Sequence, residues 1–382
     1  MQTTHTRAIA RNPGIDLLRG LSILLVVLHH TGLRIPLKKS VLAEFLPARL
    51  LGALNYNGYE AVFIFFVISG FLITGNALRR WGSLDQIDMR AFYARRFARI
   101  VPCLLAIVAT LSVMHLLGVG DYVINRDGQS LPRAIFAALG LHLNWYEGMT
   151  GYLPGGWDVL WSLSIEEVFY LGFPLVCLLT RRSWVLAPLL LAFALTLPWT
   201  RAALEANEIW QEKAYLPGMA AIATGVLGAL LVAHWRAPRW AIHAFQWVGV
   251  CGLIAVFLFE GLLWPWLGEG CMLVLTFSAL CLLIACDQRS LLGMTKLLPG
   301  FGWLRAWGRL SYEIYLIHMF VVFAVVRAYK AAGGDVAYGF LWYLPVLPLC
   351  WLLGAAMERW LSTPAERWLR GGSFPVPAYR DL

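Results

Sequence analysis

The chain has 382 residues, of which 59% are hydrophobic and 14% charged, with a formal net charge of +9. That balance excludes an ordinary soluble domain, because serial apolar runs of about 18–20 residues are what bilayer spans require. The positive charge reads as membrane topology and not as nucleic-acid binding, since the basic residues sit in short segments between the apolar runs. In chain order the runs predict about ten spans, near 15–33, 59–78, 100–118, 161–179, 184–199, 215–233, 241–259, 271–286, 310–326 and 339–357. A further run at 134–146 is too short to cross and reads as re-entrant or interfacial. The expected fold is an all-α polytopic integral membrane protein: one transmembrane domain over 15–357, with 1–14 and 358–382 as cytoplasmic termini.

Arg7 and Arg11 ahead of the first run resemble a signal peptide. No small-residue cleavage site follows Leu28, however, and Arg19 interrupts the apolar stretch, so an uncleaved first span is expected. With both termini inside, the inner segments hold twice as many Lys and Arg as the outer ones, which sets the orientation. The seven cysteines lie almost wholly in apolar stretches without a C-x-x-C pair and read as small buried hydrophobes. The histidines form no metal-ligand spacing, no phosphate-binding glycine loop is present, and no internal repeat suggests an inverted-repeat transporter.

The first span, LLRGLSILLVVLHHTG, contains Arg19 and closes on His29 and His30. Eleven helical steps at about 100° each bring His30 back to within roughly 20° of Arg19, about 16 Å further along the axis, whereas His29 falls about 80° away. His30 is therefore the partner of Arg19 on that face, and His29 is expected to contact a neighbouring helix. Two readings stand open. Arg19 can snorkel to the headgroups, pairing with Asp16 at i,i+3, or it can line a polar path with His30.

Further along, Arg96-x-x-Arg99 shares one helix face, with Arg95 alongside and Pro102 in the first turn of the third span. Ordinary positive-inside anchoring would explain that cluster equally well. Glu166 and Glu167 lie several residues inside the outer end of the fourth span and point about 100° apart, so a single site is expected to use one of them. Trp161, Phe169 and Tyr170 read as packing, and Ser69-Gly70 as a place of close helix approach. His318, mid-span near Tyr315, fits either an interhelical hydrogen bond or a substrate contact; His142, Asn144 and Tyr146 could border an outer pocket.

Taken together, GIDLLRGLSILLVVLHHTG, FIFFVISGFLIT, RRFARIVP, WSLSIEEVFYL and LSYEIYLIH, in that order, resemble the membrane acyltransferase 3 family over residues 14 to 318. The chain is similar to its stand-alone form, without the additional SGNH hydrolase-type domain of many members. Two positions depart from the pattern: Ala61-Val62-Phe63 replaces a Gly-Val-Asp, and Val159, beside Asp158, replaces a histidine. The resemblance implies transfer of an acyl group, commonly acetyl, from acyl-CoA to a hydroxyl of an envelope polysaccharide or glycolipid, at a bacterial inner membrane and without a metal. Such a reaction needs a base for the hydroxyl, stabilisation of an oxyanion and a dock for the CoA phosphates.

The resemblance assigns those tasks to His30 as base, or as the nucleophile of an acyl-histidine, to Arg19 and to Glu166. Arg96 and Arg99, with Arg95, become the phosphate clamp; by their positions along the chain, Asp16, His318, Tyr315 and Asn144 are expected as substrate contacts. The alternatives are a proton-coupled exporter using the same ionisable residues, and an acyltransferase acting on a small secreted metabolite.

Overall fold

The structure, a computed structural model, describes residues 11–295 and 297–370. Of the ends that the sequence assigns to cytoplasmic tails, 1–10 and 371–382 lie outside the described residues, while 358–369 continue as a π-helical turn and a short helix. Ten long helices carry the fold: α1 (Pro13–Gly32), α2 (Gly58–Trp81), α3 (Met89–Leu116), α4 (Trp161–Thr180), α5 (Ser183–Leu195), α6 (Tyr215–His234), α7 (Arg239–Leu267), α8 (Cys271–Leu291), α9 (Ser311–Ala331) and α10 (Tyr343–Met357). Apart from α5 and α10, each belongs to a stretch long and apolar enough by itself to cross a membrane. α10 reaches that length only with its flanking turns, and α5 is an apolar helix of 13 residues.

Exposed side chains such as Leu179, Trp184 and Trp266 cover the outside of the bundle, which marks it as facing lipid. The protein is a multi-pass membrane protein.

Local chemistry explains the ends that matter for the site. Asn12 caps α1 by accepting from the backbone N–H groups of Gly14 and Ile15, with Pro13 at the first helical position. Its amide also donates to Cys286 O at 2.9 Å, tying the start of α1 to α8. Helix α3 begins eleven residues earlier than the hydropathy suggests, capped by Asp88, so the arginine cluster is already helical. Pro102 consequently sits in the interior of α3 and not in a first turn, because the amphipathic entry segment 89–99 continues the same helix.

The short run at 134–146 resolves into two helices, Leu131–Leu139 and Leu143–Thr150, broken where Leu141 adopts a positive φ of 61°. Neither has the length to cross.

Small residues set one close helix crossing. A β-carbon on Gly70 of α2 would collide with the Ile222 carbonyl of α6, and one on Gly225 of α6 with the Val67 carbonyl of α2. In a bilayer, where lipid competes equally for apolar surface, such backbone approach is what draws helices together. This crossing fixes Ser69, next to Gly70, on the face that turns toward α4.

Candidate active site

A polar cavity of about 310 Å³ opens between α1, α2, α3, α4 and α9. Arg19, Arg96 and Arg99 line it together with Glu166, Glu167, Ser69, Tyr170, Ser311 and Tyr315. Three other recesses are larger: two, of about 780 and 590 Å³, are lined mostly by apolar side chains such as Leu191, Leu231 and Phe277, or Leu17, Leu253 and Phe257, and one of about 490 Å³ is lined by Arg79, Asp85, Arg181, Arg182 and His234. None of the three gathers the motif residues Arg19, Arg96, Arg99 and Glu166, which meet in the smaller cavity, so the smaller cavity is the candidate site.

Arg11 also lines the cavity, and the other three guanidiniums there differ in what already answers their charge. Arg99 has two carboxylates, Glu313 of α9 at 3.6 Å and Glu366 of the helix Thr363–Leu369 at 3.8 Å. Arg19 is held by a neutral group, donating from Nε and Nη2 to Ser311 Oγ at 3.1 and 2.8 Å. Arg96 lies over the ring of Tyr170 at 4.4 Å. Among the described residues no carboxylate lies within ion-pair distance of Arg19 or Arg96. These two are the cations with capacity left for an anionic ligand.

The carboxylate wall contradicts one expectation. Glu166 and Glu167 both line the cavity, because the space is wide enough to receive side chains leaving α4 about 100° apart. Glu166 Oε2 accepts from Ser69 Oγ at 3.4 Å and from Tyr170 OH at 3.3 Å, and Ser69 and Tyr170 also contact each other through their hydroxyls. Glu167 Oε1 is buried without a partner. Ser69 and Tyr170 are thus site-lining residues that a reading of them as packing missed. The i,i+4 spacing of Glu166 and Tyr170 was the available signal.

His30 does not line this cavity. Its ring packs against His318 of α9, centroids 5.1 Å apart, and against His29 at 5.2 Å. Arg19 and His30 share a face of α1, but their axial offset leaves room for another helix to intervene, and Tyr315 does so. Tyr315 lines the cavity, its hydroxyl accepts from Ser162 Oγ at 2.7 Å and donates to Val159 O at 2.9 Å, and its ring lies 5.9 Å from that of His318. From the cavity, His30 is reached through Tyr315 and His318.

Among the described residues the interhelical hydrogen bond expected of His318 is not formed: its Nδ1 faces the Tyr315 and Ile314 carbonyls of its own helix at 2.7 and 3.3 Å, and its Nε2 has no partner. His29 turns to another helix, as its angle demands: its Nδ1 is 3.1 Å from Asn55 O.

Three further expected residues lie elsewhere. Arg95 stacks over Trp81 at 4.9 Å and stays out of the cavity, since it leaves α3 about 100° from Arg96. Asp16 is buried at the start of α1, where its carbonyl meets Gly308 and Arg11, Arg19, Arg305 and Arg309 surround its charge. Asn144 is fully buried and donates to the Lys213 carbonyl at 2.9 Å, bracing the far end of the bundle.

That end holds a charged network that the sequence did not reveal. Lys213 Nζ is 2.9 Å from Glu147 Oε2 and also pairs with Asp158, joining the segment around 213 to two carboxylates more than fifty residues earlier. Burial pushes the Glu147 carboxyl up from its ordinary range, against the pull of Lys213. His142 only packs against Phe136. Among the described residues, no cluster of His, Cys, Asp and Glu could hold a metal ion.

Comparison with known proteins adds a family to this geometry. The chain is 25% identical to the O-acetyltransferase OatA of Staphylococcus aureus over 93% of its own length and 57% of that protein. It is 28% identical to the peptidoglycan O-acetyltransferase OatA of Listeria monocytogenes over 54% of the chain and 29% of the relative. It is also 25% identical to the putative peptidoglycan O-acetyltransferase YrhL of Bacillus subtilis, over 84% and 50%. The chain spans about half the length, or less, of these curated relatives. No solved structure matches. Residues 12–359, from the cap of α1 to just beyond α10, match the acyltransferase domain family, so the chain belongs to the acyltransferase 3 family.

Proposed function

We propose that the protein is a membrane O-acyltransferase that moves an acyl group, acetyl in the first instance, from acyl-CoA to a hydroxyl of an envelope glycan. The observation that carries this reading is the pair of uncommitted guanidiniums, Arg19 and Arg96, in one cavity with Glu166 and Glu167. Cations with open hydrogen-bonding capacity suit the phosphates and the thioester oxygen of such a donor, and Arg presents a fork where Lys presents a point. Arg99, already paired, supports the rim.

His30 is the base: it takes the acceptor hydroxyl's proton as the oxygen attacks the acyl carbon, and returns it to the departing thiolate. Tyr315 and His318 stand between donor cavity and base. The domain is taken as residues 15–357 with both termini cytoplasmic, which puts the cavity's arginines on the side where acyl-CoA is made. The relatives' names make peptidoglycan the first acceptor to try, with other polysaccharides, glycolipids and small secreted metabolites behind it.

The test uses the full chain in proteoliposomes with radiolabelled acetyl-CoA and muropeptide or chito-oligosaccharide acceptors. Labelled ester on the acceptor, lost in the Arg19→Ala variant, is the expected result. A protein that moves no label to any acceptor, and neither hydrolyses nor exchanges acetyl-CoA, would be a transporter instead.

A further inference from the structure

His318 is completely buried, and its two ring nitrogens face different surroundings. Nδ1 lies 2.7 Å from the Tyr315 carbonyl and 3.3 Å from that of Ile314. Carbonyl oxygens only accept, so Nδ1 carries the ring hydrogen. A neutral imidazole has one N–H; Nε2 is therefore a bare acceptor, and it is buried without any partner.

An orphaned acceptor inside a membrane protein marks a place where a donor belongs. The His30 ring lies 5.1 Å from the His318 ring, centroid to centroid, against 5.9 Å for the ring of Tyr315, and no hydrogen bond holds either nitrogen of His30 among the described residues. The neighbours of His30 offer little else. Arg34, whose Nη1 donates to the His30 carbonyl at 2.8 Å, cannot accept; His29, edge-on to His30 at 5.2 Å, gives its Nδ1 hydrogen to Asn55 O and so also has a bare Nε2, but of the two it is His318 Nε2 that is buried without a partner.

We propose that His318 is the positioning residue for His30. Its Nε2 accepts the N–H of His30, fixes one tautomer of that ring and leaves the other His30 nitrogen unprotonated toward the acceptor hydroxyl. This rests on the reading of His30 as the base. In the transfer, the hydroxyl proton passes to His30, a C–O bond forms to the acyl carbon, the C–S bond of the thioester breaks, and the proton leaves His30 for the thiolate. His318 keeps its own proton throughout and holds the imidazolium while it exists. A carboxylate would do the same work with a net charge that the bilayer interior penalises; an imidazole acceptor carries none.

The experiment compares wild type, His318→Leu and His318→Gln as full chains in proteoliposomes, measuring kcat and both KM values for acetyl transfer. His318→Leu is expected to lower kcat on the order of 100-fold with both KM values within about twofold. His318→Gln, whose amide oxygen can accept, is expected to recover at least about tenfold of that loss. In a His30→Ala background, His318→Leu should cost nothing further, because the two act as a unit. Unchanged kcat in His318→Leu, a rise in KM alone, or a Gln variant no better than Leu at equal membrane insertion overturns the proposal.

A second measurement is independent of turnover. With ¹⁵N-labelled histidine, His30 should show a single tautomer in wild type and a mixture in His318→Leu. A mixture already present in wild type overturns the proposal whatever the activity. Absence of transfer by a wild type that still shows the single tautomer would instead sink the base assignment.

Discussion

An arginine inside a span costs free energy, up to about 2.5–3.5 kcal/mol at the centre on insertion scales, so a chain that keeps Arg19 a third of the way along α1 has a use for it or a way around the cost. The Ser311 hydroxyl supplies two hydrogen bonds and no counter-charge, which leaves the cation available at the cavity wall. Arg19→Lys keeps the charge but loses the fork. Donor KM is then expected to rise about tenfold with kcat changed less than about threefold, and an unchanged KM in steady-state kinetics would remove Arg19 from donor binding.

The two adjacent histidines separate just as cleanly. His30→Ala is expected to lower transfer by at least about 100-fold with the protein still inserted, whereas His29→Ala, which loses one contact to Asn55, keeps most of it. Equal losses in a membrane-fraction transfer assay would refute the assignment by helix face.

At the scale of elements, the cavity exists because α2 and α6 cross closely enough to hold Ser69 opposite α4. The backbone contacts Gly70–Ile222 and Gly225–Val67 leave no room for a side chain. Gly225→Leu should destabilise the protein by about 1–3 kcal/mol or more, read as a lower melting temperature in detergent. Gly172→Leu is the control, since a β-carbon there meets nothing within 4 Å. Equal melting temperatures for the two variants would mean that the crossing is looser than it is drawn. The start of α9 is a second joint: Ser311 and Tyr312 line the cavity while Glu313 receives Arg99 and Ser362 Oγ, linking the site to the π-helical turn Glu358–Ser362.

At the scale of the whole molecule, the cavity's arginines and the His30–His318 pair occupy different levels of one bundle, with Tyr315 between them. The proposed transfer, from a cytoplasmic donor to an envelope glycan, would use such a division. Both termini are expected on the cytoplasmic side. A C-terminal green fluorescent protein fusion should therefore fluoresce and an alkaline phosphatase fusion stay inactive; the reverse pattern would invert the bundle.

The sequence by itself determined the membrane class, the order and approximate extent of the helices, the family, and the shared face of Arg19 and His30. All of these follow from local hydropathy and helical periodicity, which neighbouring residues carry between them. Only the tertiary structure decided that Glu166 and Glu167 share a cavity, that Arg95 turns away to Trp81, that Arg99 is already paired, and that Tyr315 parts Arg19 from His30. The same holds for Lys213, which meets Glu147 and Asp158 across long stretches of chain. Each of those facts depends on which helix stands opposite. Helix periodicity fixes the direction of a side chain but says nothing of the partner waiting there.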